Sequence, residues 1–311
     1  MIKPIMIANP AAGKRLYSLG SMQKAVERWV PTNTPIQVTQ HPGHAEQIAK
    51  EACWNGFDTL IVLGGDGTIH ETLNGILSSE ARGVRMGIFP IGTANDYAFT
   101  LRNDRTEHEP FHRFVDIGKA TCNGSHRYFI NVAGLGLPGR VANLARGMKR
   151  LPARVRYTLA LMRAMGGKYR THPLVASSRK DSDLGIEPIL KEYLMISVAI
   201  GMREGSYPLS PKAVLDDGLF EILEVGALRR RDIVRYFPRI LKGDIPTSDQ
   251  RISTSQREDY LIECDHPVPF HLDGESFRVS GDSEAVPFDS TKRFRLHLEV
   301  LPKALAVELL G

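Results

Sequence analysis

The sequence predicts an α/β domain with a parallel sheet and crossover helices, followed by an antiparallel, β-rich domain with helical insertions. Three observations predict it. Strand-like and helix-like patterns alternate as far as about residue 100, the mark of successive βα units. Beyond about Asp116 strand-like runs dominate, several of them separated by turn signals such as Asp217-Gly218, Asp273-Gly274 and Ser280-Gly281. The chain of 311 residues also exceeds one typical domain.

Taken in order, Pro4 to Asn9 reads as a strand running into the loop Asn9-Pro10-Ala11-Ala12-Gly13-Lys14, and Ser21 to Val30 as a helix. Ile36 to Gln40 is a second strand. Ala45 to Trp54 is helical, because Ala45, Ile48, Ala49 and Ala52 recur at the spacing of one helix face. Asp58 to Leu63 is a continuous apolar strand that stops at Gly64-Gly65. Thr68 to Leu77 is the next helix, Arg85 to Pro90 the next strand, and a further helix starts around Ala94. In the second half Tyr128 to Ala133, Tyr193 to Ile200, Leu219 to Val225, Tyr260 to Cys264 and Phe294 to Val300 read as strands. Leu137 to Met165 and Arg230 to Leu241 read as helical. The domain boundary is expected near residue 117.

Composition narrows the function classes. Cys53, Cys122 and Cys264 are far apart and form no CxxC pair, which argues against a disulfide framework or a zinc site and fits a reducing cytoplasm. The N-terminal run Met1 to Ile7 has no signal-peptide pattern. No uncharged apolar run approaches the roughly 20 residues a spanning helix needs, so a soluble protein is expected. From Ile117 to Lys180 there is no Asp or Glu, whereas Lys119, Arg127, Arg140, Arg146, Lys149, Arg150, Arg154, Arg156, Arg163, Lys168, Arg170, Arg179 and Lys180 fall within it. Two readings are open: a face for an anionic partner, or a solvated face balanced by acids from elsewhere in the fold.

The chemistry is concentrated in loops at strand ends. Gly64-Gly65-Asp66-Gly67-Thr68-Ile69-His70-Glu71 follows a buried parallel strand and opens a helix, where ligands of open α/β sheets bind. Glycines let backbone N–H groups approach an anion, and the helix N-terminus adds its dipole. A carboxylate at Asp66 would repel phosphate unless a cation lies between them, which suggests a metal-bound nucleotide. The alternative is a tight turn with Asp66 as an N-cap. Ala8 to Arg15 is not a P-loop, since Ala8 and Arg15 replace the required glycine and hydroxyl residue; Asn9 still ends its strand at the same sheet edge. In Pro90-Ile91-Gly92-Thr93-Ala94-Asn95-Asp96, Thr93 offers a hydroxyl for a phosphate, and Asn95 and Asp96 offer polar groups to the same crevice or a helix cap. Leu215-Asp216-Asp217-Gly218-Leu219 and Leu272-Asp273-Gly274-Glu275 are each compatible with ordinary hairpin turns. Phosphoryl transfer, however, needs acids to hold Mg²⁺ and a carboxylate to take the acceptor's proton.

Together with Asn74-Gly75, Ala133-Gly134-Leu135-Gly136 and Pro211-Lys212-Ala213, these segments resemble the diacylglycerol-kinase catalytic family over nearly the whole chain, in its soluble bacterial branch of YegS-like lipid kinases. The GGDGT run alone is shared with NAD kinases and 6-phosphofructokinases, but the ordered set is more specific. The resemblance implies a three-layer, ATP-binding N-terminal domain (residues 1–117, completed by about 296–311) and a lipid-substrate β-sandwich (118–295), with the active site between them. It implies that Thr39, Gly64, Gly65, Asp66, Gly67, Thr68, Ile69, His70 and Thr93 contact ATP. It implies that Asp217 and the carbonyls of Val214 and Leu219 hold a structural Mg²⁺. By the same resemblance Glu275 accepts the proton, with Asp66, Asp96 and Asp273 in its polar network. His70 departs from the family, which often has Asn there.

The function expected is an Mg²⁺-dependent transfer of the γ-phosphate of ATP to a lipid hydroxyl. Diacylglycerol, phosphatidylglycerol and sphingoid bases all offer one. The alternatives are a kinase of a soluble substrate using the same glycine loop, and a non-catalytic lipid- or nucleotide-binding regulator. Arg154 to Arg170 reads as a basic helix with Val155, Leu159, Met162 and Met165 close to one face. It suits either an anionic bilayer at the inner face of the membrane or packing on its own domain. Nucleic acid is not expected, because no aromatic interleaving accompanies the charge.

Overall fold

The computed structural model describes residues 2–13, 18–103, 113–122, 124–148, 151–166, 170–266, 268–276 and 294–310. Lys14, Arg15, Lys149, Arg150, Lys168 and the Ser280-Gly281 turn lie outside the described residues.

The N-terminal domain alternates strand and helix: β1 (Pro4–Ala8), α1 (Leu19–Val26), β2 (Ile36–Val38), α2 (His44–Trp54), β3 (Thr59–Gly64), α3 (Asp66–Ser78), β4 (Arg85–Pro90) and α4 (Asp96–Asn103). The strands lie in the order β2-β1-β3-β4 and are all parallel. The strand periodicity sorts the core into two layers. Ile5, Ile7, Leu60, Val62, Met86 and Ile88 pack with Ile48 and Ala49 of α2 and Ile69 and Leu73 of α3. Met6, Ala8, Ile61 and Leu63 face the opposite way, onto Met22 and Val26 of α1. The carboxyl ends of β1, β3 and β4 open into their loops at one edge, which is what brings distant loop residues together.

The remainder is built from β5 (Phe114–Cys122), β6 (Ser125–Phe129), β7 (Val132–Gly136), α5 (Leu137–Arg146), α6 (Ala153–Gly166), β8 (His172–Ser177), α7 (Arg179–Asp183), β9 (Leu190–Ala199), β10 (Phe220–Gly226), α8 (Arg230–Ile240), β11 (Ile252–Arg257), β12 (Asp259–Cys264), β13 (Phe270–Leu272), β14 (Glu275–Ser276) and β15 (Phe294–Leu309). All pairings are antiparallel here except one. Ala306 to Leu309 at the end of β15 run parallel to Arg85 to Ile88 of β4, while its first half pairs with β5 and β12. The long strand thus ties the antiparallel β-sandwich-like domain to the parallel sheet. β5 carries the chain across residue 117, and the register of β15 against it shifts between Leu301 and Leu305.

Several element boundaries differ from the sequence expectation for physical reasons. The strand expected at Tyr128–Ala133 is broken at Ile130 and Asn131, because their N–H groups and that of Val132 turn onto the Asp273 carboxylate. The single helical region at 137–165 is two helices, α5 and α6. The helix α3 begins at Asp66, with Gly65 rather than Asp66 as its N-cap. The helix α4 begins at Asp96, not Ala94, since Asn95 takes a left-handed φ of 50°.

Candidate functional site

Two close approaches of glycine bring the loops at the carboxyl ends of β1, β3 and β4 together. A Cβ on Gly92 would lie 2.5 Å from Cα of Gly65, and one on Gly13 would lie 2.2 Å from the carbonyl oxygen of Ile91. Only hydrogen fits at either place. Nδ2 of Asn9 donates to Oγ1 of Thr68 at 3.0 Å, joining the β1 loop to α3. Asn9, Gly64, Gly65, Gly67, Thr68, Thr93 and Asn95 therefore share one concave edge. Thr39 stands at the end of β2, its N–H bonded to Ala8 O at 2.9 Å. Ile69 is buried, and its N–H is bonded to the Gly65 carbonyl at 3.0 Å.

Asp66 and Asp96 are the first residues of α3 and α4. Oδ1 of Asp66 accepts from Tyr97 N–H at 3.3 Å. Burial holds Asp66 above the usual carboxylate range, with the Asp273 charge adding and the Tyr97 N–H opposing. Burial first, and the neighbouring Asp66 charge second, push Asp96 up to about 7. Both oxygens of Asp96 accept from Ser206 N–H, at 3.1 and 3.0 Å, a bond that crosses between the domains.

Asp273 and Gly274 form the tip of the β13–β14 hairpin, both with positive φ (51° and 84°), as a type I′ turn demands. The segment is thus a hairpin turn. Oδ1 of Asp273 accepts from Asn131 and Val132 N–H at 2.9 and 3.0 Å, and Oδ2 from Ile130 N–H and His70 Nδ1 at 3.0 and 2.9 Å. Its lone pairs are filled, so this carboxylate fixes the architecture of the site. The His70 ring is buried against it. Glu275, next on the hairpin, is half-exposed, and Oε1 lies 3.4 Å from where a Cβ on Gly67 would be. The glycine turn at Asp66 and the acidic turn at Glu275, distant in sequence, face each other across the cleft.

Behind this cluster opens a cavity of about 170 Å³. Asp66, Asp96, Glu204, His271 and Asp273 line its polar end. Its walls are aliphatic, from Leu137 and Val141 of α5, Leu161 of α6, Leu194 of β9, Leu223 of β10 and Ile233 of α8. Tyr157 of α6 also lines it, with its ring against Gly205; burial pushes its phenol up to about 12, so it remains a donor at neutral pH.

The 214–219 turn forms a separate acidic group. Oδ1 of Asp217 accepts from Leu219 N–H at 3.0 Å. Oδ2 of the fully buried Asp116 accepts from Gly218 N–H at 2.7 Å, and Oδ1 from Lys303 N–H at 2.8 Å. Burial raises Asp116, and the charges of Asp217 and Asp216 raise it further. Among the described residues no group of three His, Cys, Asp or Glu side chains is arranged around a metal position. A cation here would need the Val214 and Leu219 carbonyls beside Asp217, hard oxygen donors that suit Mg²⁺.

Sequence reasoning missed Asp116, Arg146, Tyr157, Glu204 and His271. Only Asp116 carried a signal, as an acid inside an otherwise apolar strand pattern. His271 and Glu204 are a buried pair at 2.9 Å, and Ser197 Oγ donates to the second Glu204 oxygen at 2.7 Å.

Residues 3–121 match the diacylglycerol kinase catalytic domain, and residues 131–308 match the YegS C-terminal NAD kinase beta sandwich-like domain. Fold and site together define a two-domain kinase. "Diacylglycerol kinase" of Bacillus subtilis (strain 168) is 27% identical over 316 residues, covering 98% of both chains. "Probable lipid kinase YegS-like" of Chromohalobacter salexigens is 29% identical, covering 77% of this chain and 76% of the relative. The crystal structure of a diacylglycerol kinase from Bacillus anthracis str. Sterne superposes with a TM-score of 0.64 at 21% identity, covering 98% of this chain and 96% of that one, a likeness of fold. The chain belongs to the diacylglycerol kinase catalytic family, in the branch that carries the YegS C-terminal domain.

Proposed function

We propose that this kinase transfers the γ-phosphate of ATP to the hydroxyl of diacylglycerol or a related membrane lipid. The observation that carries the reading is the aliphatic cavity that ends at the Asp66–Asp96 acidic cluster. A sugar phosphate or dinucleotide acceptor would leave those walls in contact with water, whereas acyl chains would bury them at about 25 cal/mol per Å².

The N–H groups of the Gly64–Gly67 turn and the N-terminus of α3 receive the phosphates. Asn9, Thr39, Thr93 and Asn95 flank them. Two features fit a divalent cation between phosphates and protein: the Asp66 charge raises the proton affinity of Asp96, as the Asp273 charge does that of Asp66, and Oδ1 of Asn95 is buried with no hydrogen-bond partner. Asp66 and Asp96 would hold Mg²⁺, which neutralises phosphate charge when bound. Asp217 with the Val214 and Leu219 carbonyls forms the second, structural site. Glu275 accepts the proton of the acceptor hydroxyl, a contribution of about 10²–10⁴-fold. Asp273 holds the hairpin and His70 in place around it.

The helix α6 supports delivery of the lipid from an anionic membrane. Val155, Leu159 and Met162 are 46%, 39% and 56% exposed along one face. Lys119, Arg127 and Arg146 elsewhere in the basic stretch pair with Glu299, Glu46 and Glu275, and Arg156 stacks on Tyr157, but the exposed Arg154 and Arg163 form no ion pair among the described residues. Among the described residues no helix is long and apolar enough to cross a membrane, so contact is with the surface.

The test is radiolabelled ATP with mixed micelles of diacylglycerol, phosphatidylglycerol or sphingosine, against soluble sugar and dinucleotide acceptors. Label in an organic-extractable product supports the reading. Transfer to a soluble acceptor alone, or no ATP turnover with any lipid, overturns it.

A further inference from the structure

Arg146 occupies the last turn of α5, where a cation is favoured by the helix dipole. Its guanidinium lies 2.9 Å from Oε2 of Glu275. The helix that carries it is seated rigidly. A Cβ on Gly139 would lie 2.4 Å from the Pro269 carbonyl group, so α5 packs backbone to backbone on the segment leading into β13. The same hairpin is held from the other side by the four hydrogen bonds to Asp273. Glu275 is thus fixed at its backbone by the hairpin and at one carboxylate oxygen by α5.

This leaves the two oxygens of Glu275 with different surroundings. Oε2 is taken by Arg146, and Oε1 is directed at Gly67 in the glycine turn. A half-exposed glutamate without such a tether would sample several rotamers. A cation that reads one oxygen selects the rotamer that offers the other to the cleft.

We infer that Arg146 is a positioning residue for the proton acceptor: it clamps Oε2 so that Oε1 is the atom that receives the acceptor's proton. The inference rests on Glu275 being the base. The arginine itself need touch neither ATP nor lipid, and its effect reaches the reaction only through Glu275.

That dependence makes a double-mutant cycle decisive. The full-length protein is assayed with radiolabelled ATP and diacylglycerol micelles as wild type, Arg146→Gln, Glu275→Gln and the double variant, with a thermal midpoint for each. Arg146→Gln is expected to lower kcat by about 10–100-fold, within the range open to general-base catalysis, while KM for ATP and lipid changes less than about 2-fold. In the Glu275→Gln background the same substitution should cost nothing further. Arg146→Lys, which keeps a charge but not the fork, should recover part of the loss even if Arg146→Gln folds poorly. Equal losses in both backgrounds, or a loss confined to KM for ATP, would overturn the positioning role while leaving the base intact. Full turnover by Glu275→Gln would sink the base assignment and the inference with it.

Discussion

Nδ1 of His70 lies 2.9 Å from Oδ2 of Asp273, although 203 positions separate the two residues in sequence. Both side chains are buried, at 4% and 3% exposure. The contact joins the second turn of α3 to the β13–β14 hairpin, so the glycine turn and the glutamate hairpin are held at a fixed separation. The carboxylate can only accept, which places a ring proton on Nδ1. His70 therefore ties α3 to the hairpin.

Asp273→Asn tests that bond. The amide keeps one acceptor but places an NH₂ group against an N–H donor. Breaking a buried, charge-assisted cluster of this kind is expected to cost about 2–4 kcal/mol. Chemical denaturation should show the loss as a lower midpoint with an unchanged slope. Activity per folded molecule should fall as well, because the hairpin that carries Glu275 loses its anchor.

Gly134→Ala tests the second anchor. A Cβ there would lie 2.4 Å from Oε1 of Glu204 and 2.5 Å from Nε2 of His271. The buried pair would have to separate, and Nδ1 of His271 also accepts the Gly274 N–H at 3.0 Å. The expected destabilisation is about 1–3 kcal/mol from overpacking, more if the pair is left unsatisfied. Thermal unfolding of the purified variant reads it directly.

These two sites mark what could and could not be read from residues alone. The parallel half was legible because its strands are continuous apolar runs bounded by glycine turns, and its helices carry one clear face each. The strands Phe114–Cys122, His172–Ser177 and Ile252–Arg257 were not: Asp116 and Lys119 interrupt the first, His172 and Pro173 open the second, and the third is polar from Ser253 to Arg257. The loops at the sheet edge could be named because parallel strands force their carboxyl ends to one side. Asn74 and Gly75 fitted the family pattern, yet they serve packing: Asn74 bonds the backbone of Tyr128, and Gly75 lets α2 approach α3. Arg146, Glu204 and His271 depend on which turns of distant elements meet, and no local pattern carries that information.

The pH dependence of stability follows from Asp96. Its folded-state pKa is raised to about 7, so the folded protein binds a proton that the unfolded chain, near 3.9, gives up. The stability from that proton is present at about pH 4 and is lost as pH rises through about 7. In the absence of divalent cations, the thermal midpoint should decline over that window. Asp96→Asn, neutral at every pH, should flatten the decline and melt above wild type at pH 8. Parallel melting curves for the two proteins between pH 5 and pH 8 would contradict the assignment.

Filling the cavity should separate lipid binding from nucleotide chemistry. Leu161 of α6 lines the aliphatic wall and is not part of the acidic end. Leu161→Trp is expected to raise KM for long-chain diacylglycerol about 5–20-fold, equivalent to losing contacts worth roughly 1–2 kcal/mol. KM for ATP should be unchanged, and a short-chain acceptor should be less affected. Equal effects on short and long chains would place the acyl groups elsewhere.

The exposed face of α6 gives the last test, because two contributions to bilayer affinity can be removed separately. Each arginine near an anionic surface is worth about 1 kcal/mol, and that share weakens as salt shortens the Debye length. Reversing the exposed Arg154 and Arg163 to Glu should weaken binding to phosphatidylglycerol vesicles by at least about 30-fold, with no change on neutral vesicles. Changing Val155, Leu159 and Met162 to Ser removes apolar insertion instead, so the residual binding should become wholly salt-dependent. Both sets are exposed on the outside of α6, whereas Arg156, stacked 4.9 Å from the ring centre of Tyr157 in the cavity wall, is left in place, so turnover of a short-chain lipid in detergent should survive. Vesicle sedimentation unchanged by the charge reversal would show that α6 is not the docking face.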